Sequence, residues 1–288
     1  MQGILVGSLY GLMAMGLSLQ YGVCRVLNIA HGEFVMLGAV ITYFLLTSIG
    51  ISPLLAPVII APILFALGFV LQSTLFRGLK ARAPSQPVFE GSALLIAFGL
   101  IYIIDALAQM RWGSQMLPIY QFLPQWLTVK LSFLGIDVYS NQIVAFAIAM
   151  VVGVAVYLFL TRSKLGRAIR ATAEDPATAG LMGVNTHMTL AFSFGLGSLL
   201  AAIAGTLISI TSATVTTAMG FNYAVIALIV VTLGGLGSVM GSLIAGILIG
   251  ITNLLVLGLW KPILTVPVYY AMLMVLLLAR PTGLLGKK

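Results

Sequence analysis

TRSKLGRAIRATAEDPATAGLMG, residues 161–183, is the one long stretch of the chain built to meet another protein in water, and it lies between apolar runs long enough to cross a bilayer. Asp175 suits the cap position of a helix, where its carboxylate accepts from the first free backbone N–H groups. Pro176 fits the first helical position, because its missing N–H would have had no partner there. Gly183 can end the helix in a left-handed conformation that strains other residues. The pattern predicts a short capped helix over 176–182, with Leu181 and Met182 near its end and Arg167 and Arg170 supplying charge at the rim of a contact. Anchoring of the loop to the membrane is the competing use of the same residues.

Of 288 residues, 61% are hydrophobic and 7% are charged. Soluble domains carry about 25% charged residues, so the bulk of this chain must be solvated by lipid. The 11 Pro and 31 Gly are spread through apolar runs, as transmembrane helices tolerate when neighbouring helices satisfy the freed backbone groups. A net charge of +8 would point to nucleic acid in a soluble protein. Here the cations sit at the ends of apolar segments without interleaved aromatics, which fits membrane orientation and no nucleic-acid partner. Cys24 is the single cysteine, so no internal disulfide forms. The opening MQGILVGSLYGLMAMG lacks the basic start and cleavage pattern of a secretory signal and reads as a retained first span.

Candidate spans are 4–22, 34–49, 54–76, 91–109, 141–160, 189–210, 221–233, 239–257 and 263–279. The second and seventh fall short of the roughly 20 residues a crossing needs. The expectation is an all-α polytopic membrane protein with eight or nine transmembrane helices, some short or broken, and a cytoplasmic helix in the 161–188 loop. Nine spans with an external N-terminus place Arg25, Arg77, Lys80, Arg82, Arg162, Lys164, Arg167, Arg170, Arg280, Lys287 and Lys288 inside, 11 of the 14 Lys and Arg. Only Arg111, Lys130 and Lys261 remain outside, so the positive-inside bias favours nine and a cytoplasmic C-terminus.

Residues 110–140 form the largest expected external segment. Pro118 and Pro124 bar one continuous helix, and Trp112, Tyr120, Trp126 and Tyr139 suit a segment near the interface, bracing the mouth or meeting a delivery protein. The stretches GSLYGLMAMG (7–16), GSLLAAIAGT (197–206) and GSLIAGILIG (241–250) share an opening Gly-Ser-Leu. Their small faces allow close helix packing, either as a weak repeat or as the ordinary enrichment of membrane helices.

RVLNIAHGEFVMLG, 25–38, brings Asn28, His31 and Glu33 together between apolar runs. On a regular helix His31 and Glu33 diverge, whereas an interruption at Gly32 would turn both toward a common cavity. Ionisable groups in hydrocarbon are costly and usually face the interior or water, which points to a pathway or gate. The alternative has Glu33 capping the second span and His31 merely sitting at the interface. Catalysis and metal binding lack support: HGE is not the His-Glu-x-x-His spacing of zinc proteases, His187 has no acidic residue beside it, and Cys24 has no obvious partner.

With these motifs in hand, the chain resembles, over nearly its whole length, the LivH-type permease subunits of high-affinity branched-chain amino acid ABC importers. The resemblance rests on GSLYGLMAMGLSLQYG and LNIAHGEFVMLGA, on GRAIRATAEDPATAGLMGV, and on GGLGSVMGSLIAG at 234–246, in that order. The family commonly has Asp after His-Gly where this chain has Glu33, which lengthens the reach by one methylene.

By that resemblance the chain is a single transmembrane permease domain over 1–288, with a coupling loop at 161–188 in which Glu174, Asp175, Leu181, Met182 and Gly183 lie in or beside the contact with an ATPase. The implied partners are two cytoplasmic ABC ATPases, a related second permease subunit or second copy, an extracytoplasmic solute-binding protein and a small amino-acid substrate. The implied location is the bacterial inner membrane. The chain has no Gly-x-x-x-x-Gly-Lys-Ser/Thr phosphate loop, so it is not expected to be an enzyme or to hold a cofactor; ATP and Mg belong to the partners. A stand-alone secondary transporter or channel, a membrane scaffold and an intramembrane enzyme are the other readings. Related permeases serve urea and amides, so the exact substrate stays open.

Overall fold

The computed structural model describes residues 2–133 and 136–286. Its helices are α1 (Gln2–Cys24), α2 (His31–Phe44), α3 (Ala56–Leu71), α4 (Arg77–Arg82), α5 (Gln86–Trp112), α6 (Ser140–Arg162), α7 (Lys164–Glu174), α8 (Pro176–Leu181), α9 (Thr186–Thr211), α10 (Met219–Gly234), α11 (Val239–Leu259) and α12 (Thr265–Ala279). Wider π turns at Leu45–Ile49 and Gln72–Phe76 extend α2 and join α3 to α4. Among the described residues, eight helical stretches are long and apolar enough to cross a membrane, and α10 is a shorter apolar helix. The protein is an all-α, multi-pass membrane protein.

The helices run a few residues beyond the apolar segments, most clearly where α3 continues through α4 to Arg82. Lys80 and Arg82 lie in the last turn of α4, where cations complement the negative end of the helix dipole. Lys287 and Lys288 lie outside the described residues.

α1 and α9 are the most enclosed helices, and α12 is almost wholly exposed to the surroundings. Small residues set this arrangement. Gly3, Gly7 and Gly11 of α1 run antiparallel along α11, so that a Cβ added to Gly246 or Gly250 would overlap the α1 backbone. On its other side α1 meets α9 through Gly16 and Gly197, and α2 meets α9 through Gly38 and Gly205. Lipid tails are as apolar as Leu, so van der Waals contact between bare backbones, not exclusion from water, holds such helices together. All three Gly-Ser-Leu segments are used at these seams.

One face gathers the ends of α1, α4, α6, α10 and α12 with the starts of α9 and α11. Cys24 Sγ donates to Leu190 O (3.4 Å), Leu284 N to Leu233 O (2.9 Å), and Gly22 packs on Gly237. Arg25, Arg77, Lys80, Arg82, Arg162, Lys164, Arg167, Arg170 and Arg280 belong to this basic face, whereas Arg111, Lys130 and Lys261 belong to the opposite one. The chain passes between the faces nine times, but α2 and α10 start inside the bundle.

On the opposite face, β1 (Leu117–Pro118) pairs with β4 (Thr214–Val215), and β2 (Lys130–Phe133) with β3 (Ile136–Tyr139). Thr217 Oγ1 donates to Gly113 O (3.0 Å), and Tyr43 meets Phe122 edge-on at 6.3 Å. Residues 113–123 therefore brace the connection that leads from α9 into α10.

Candidate functional site

The first candidate site forms where two helices begin in the interior. Residues 25–30 leave the end of α1 as irregular backbone and turn back along it, with Arg25 at φ 55°. α2 then starts at His31, beside Gly16 of α1. Gly16 lies eight residues before Cys24, which sets His31 about 12 Å inside the basic face. α10 starts next to it: a Cβ on Gly32 would overlap Gly220 O and Ala224 N. The break expected at Gly32 therefore precedes His31, and Gly32 instead lets α2 and α10 touch backbone to backbone. At 16 residues, about 24 Å, α10 is too short to span alone, and 212–218 complete its crossing.

His31 and Glu33 diverge, as their spacing on a regular helix requires. His31 is fully buried against α1, with Nε2 3.0 Å from Met13 O and Nδ1 3.3 Å from Gln20 Oε1. Asn28 Nδ2 donates to the same Gln20 Oε1 (3.2 Å), and Gln20 Nε2 donates to Phe194 O (3.1 Å) and Ser198 Oγ (3.2 Å) of α9. One glutamine thus ties α1, the 25–30 turn, α2 and α9 together.

Glu33 is 3% exposed, and its carboxylate rests on Gly220 in the first turn of α10. α2 has Ala30 at its cap position with no side-chain cap hydrogen bond, so Glu33 is not acting as a cap. Glu33 Oε2 and Asn28 Oδ1 are both buried without a hydrogen-bond partner. The free N–H groups and positive dipole end of α10 favour the carboxylate there.

The second candidate site is the 161–183 loop. Asp175 Oδ1 accepts from Ala177 N (2.9 Å) and its other oxygen accepts from Thr178 Oγ1, bonds that hold its carboxyl below the usual carboxylate range, that to the Thr178 side chain first. Gly183 has φ 83° and, with Val184 N donating to Ala179 O (3.1 Å), closes α8 as its sequence requires. Leu181 and Met182 are 88% and 81% exposed, so α8 ends in an uncovered apolar knob. Arg167 and Arg170 are exposed, and their guanidinium groups turn back to the carbonyls of Arg162 and Leu160 at the end of α6. Those carbonyls lack helical partners, and a cation is the favoured group there. Glu174 ends α7 and is exposed beside Asp175.

These features match a family described as the permease component of the branched-chain amino acid transport system, over residues 1–278. The chain belongs to this family. It is 29% identical to the high-affinity branched-chain amino acid transport system permease protein BraD of Pseudomonas aeruginosa, over 99% of this chain and 94% of BraD. It is 28% identical to the corresponding protein LivH of Escherichia coli, over the same shares. A shorter similarity, 33% over 36% of this chain and 34% of the relative, links it to the ribose import permease RbsC of Haemophilus influenzae. No solved structure matches the chain. The relatives are named as permeases of transport systems and not as enzymes.

Sequence reading of this permease-family chain missed Gln20, Ser198 and Asp105. Asp105 lies about two turns before the end of α5, half-buried, with Oδ2 accepting from Gln109 Nε2 (2.8 Å) and Oδ1 buried without a partner. The available signal was simple: a carboxyl inside an apolar span is expensive and calls for a reason. α7, an amphipathic helix between α6 and α8, was also missed; Ser163 caps it by accepting from Gly166 N (2.8 Å).

Proposed function

We propose that this chain is the membrane-spanning permease of an ATP-driven importer for branched-chain or related small amino acids. In this reading it forms one transmembrane permease domain in a bacterial inner membrane, with the basic face and the C-terminus in the cytoplasm. A related permease chain or a second copy completes the path, an extracytoplasmic binding protein delivers the amino acid, and two cytoplasmic ATPases drive the cycle. ATP and Mg are held by the ATPases and none of that chemistry by this chain.

The observation that carries the proposal is the knob of Leu181 and Met182 at the end of a capped helix on the basic face, in a chain of this family. Two long apolar side chains in water are costly unless a partner covers them. Asp175, Glu174 and Gly183 shape the knob's support, while Arg167 and Arg170 fasten α7 to α6. Tilting of α8 by an ATPase would reach α9 directly through the four-residue link before Thr186, and α9 is the helix that Gln20 connects to the α2 start. Asn28, His31 and Glu33 would then act at the gate, where two inner helix starts meet. Relative motion of packed helices, with the hinge in the irregular 25–30 and 212–218 segments, is the corresponding transition.

The test is disulfide or bifunctional cross-linking from Leu181→Cys and Met182→Cys in the Cys24→Ser background. Cross-links to a co-expressed ATPase support the reading. Full uptake by the isolated chain under an ion gradient, with no ATPase bound, would replace it with a secondary transporter.

A further inference from the structure

A cavity of about 640 Å³ opens on the basic face, away from the α2–α10 junction, between the α3–α4 helix and the start of α9. Its floor is apolar, from Phe69, Leu190 and Ala191, and its mouth carries Arg77 and Lys80. Neither cation makes a salt bridge among the described residues; Lys80 only lies over the Phe89 ring, 5.9 Å from its centre. At the loop wall beside Pro176, the Asp175 carboxylate is already bonded to Ala177 N and Thr178.

A second observation points to a ligand. Gln72 lines this cavity at 4% exposure, and its Oε1 is buried without a hydrogen-bond partner. It sits at the first position of the π turn, where the wider coil shifts a side chain out of the regular helical register. Burying an amide without a partner is unfavourable, so the side chain needs an occupant with polar atoms.

We infer that this cavity is a binding site for the headgroup of an anionic phospholipid. The phosphodiester lies between Arg77 and Lys80, a headgroup hydroxyl meets Gln72 Oε1, and an acyl chain lies along Phe69 and Leu190. A free inorganic phosphate supplies the same charge but leaves the apolar floor bare, and the depth of the floor within the span of α3 favours the lipid. Basic pockets between transmembrane helices are suited to such headgroups. Because one wall belongs to α3–α4 and the other to the α8–α9 link, the bound lipid would join the membrane body to the loop helix. The site does not depend on the proposed transport cycle.

The experiment measures lipid retention by the purified full-length protein in detergent, using native mass spectrometry and thermal stabilisation with added phosphatidylglycerol, phosphatidylcholine or inorganic phosphate. Phosphatidylglycerol should be retained and should stabilise the protein, and phosphatidylcholine should not. The double variant R77Q/K80Q should weaken phosphatidylglycerol retention by about tenfold or more, from the loss of two surface cations. Gln72→Leu should weaken it more modestly, and R162Q/K164Q, on the same face but outside the cavity, should leave it unchanged. Equal retention in R77Q/K80Q, an equal loss in R162Q/K164Q, or inorganic phosphate stabilising as well as phosphatidylglycerol would overturn the assignment. These readouts need no ATPase and no uptake, so they stand or fall apart from the importer reading.

Discussion

Replacing Gln20 with Leu tests whether a single buried amide organises the α2 start. Leu nearly matches its volume, so the helix packing around Gly197 survives while three hydrogen bonds and the His31 Nδ1 contact vanish. Their losses are unequal. Phe194 O keeps Ser198 Oγ as a donor (3.1 Å), and His31 keeps Met13 O. Asn28 loses the only partner shown for its side chain, and its Oδ1 is already without one. With Asn28 Nδ2 the one stranded donor, and interhelical hydrogen bonds in membranes worth about 0.6–1.7 kcal/mol each, the expected loss is about 1–3 kcal/mol. Reversible unfolding in mixed micelles measures it, with Gln115→Leu at an exposed position after α5 as a reference expected near zero. In a double-mutant cycle with Asn28→Leu, the two losses should fall short of additive, because each change removes the same bond. A loss no larger than that of Gln115→Leu, or strict additivity with Asn28→Leu, would refute the network.

Gly183→Val should cost about 1–2 kcal/mol locally, from the left-handed backbone alone, because no atom lies within 4 Å of an added Cβ; insertion should be normal while ATPase recovery in pull-downs and uptake both fall. Gly32→Ala should destabilise the bundle by about 1–3 kcal/mol through overlap with Gly220 O, read as a lower unfolding midpoint in detergent. The Asp175 cap has its folded-state pKa lowered, so its contribution is full above the ordinary carboxylate range near pH 4 and is lost as pH falls through the lower folded value; hydrogen exchange at Ala177 N should accelerate only in that acid window, and Asp175→Ala should show the fast rate at every pH. Glu33→Gln removes a buried charge while keeping the shape, so complex yield should hold while uptake changes; unchanged uptake of every amino acid tested would remove Glu33 from the gate.

Much of the fold could be read because lipid imposes a blunt rule: apolar runs must close their own hydrogen bonds, and only helices do so within one segment. The α8 helix was legible for a different reason, since Asp175, Pro176 and Gly183 each meet a local backbone need that no distant contact can override. The inner start of α2 was not legible. Asn28, His31 and Glu33 announce a polar site, but the position of the break depends on Gln20, eight to eleven residues upstream, and on Phe194 and Ser198, far along the chain. The partner of Arg170 was hidden for a related reason: its sequence neighbours are in the loop, but the carbonyl it serves is Leu160 at the end of α6. Asp105 shows the remaining gap, an acidic residue whose burial comes from helix packing rather than from its own segment.

The central claim is that ATP hydrolysis by cytoplasmic partners moves an amino acid through this chain. Its most direct test is uptake of radiolabelled leucine into proteoliposomes holding the assembled complex, with binding protein outside and ATP inside. Accumulation that requires ATP, stops with a non-hydrolysable analogue, ignores imposed ion gradients and falls in Leu181→Asp is the predicted result. Leucine accumulation that proceeds without nucleotide, or that follows a sodium or proton gradient, would contradict the account.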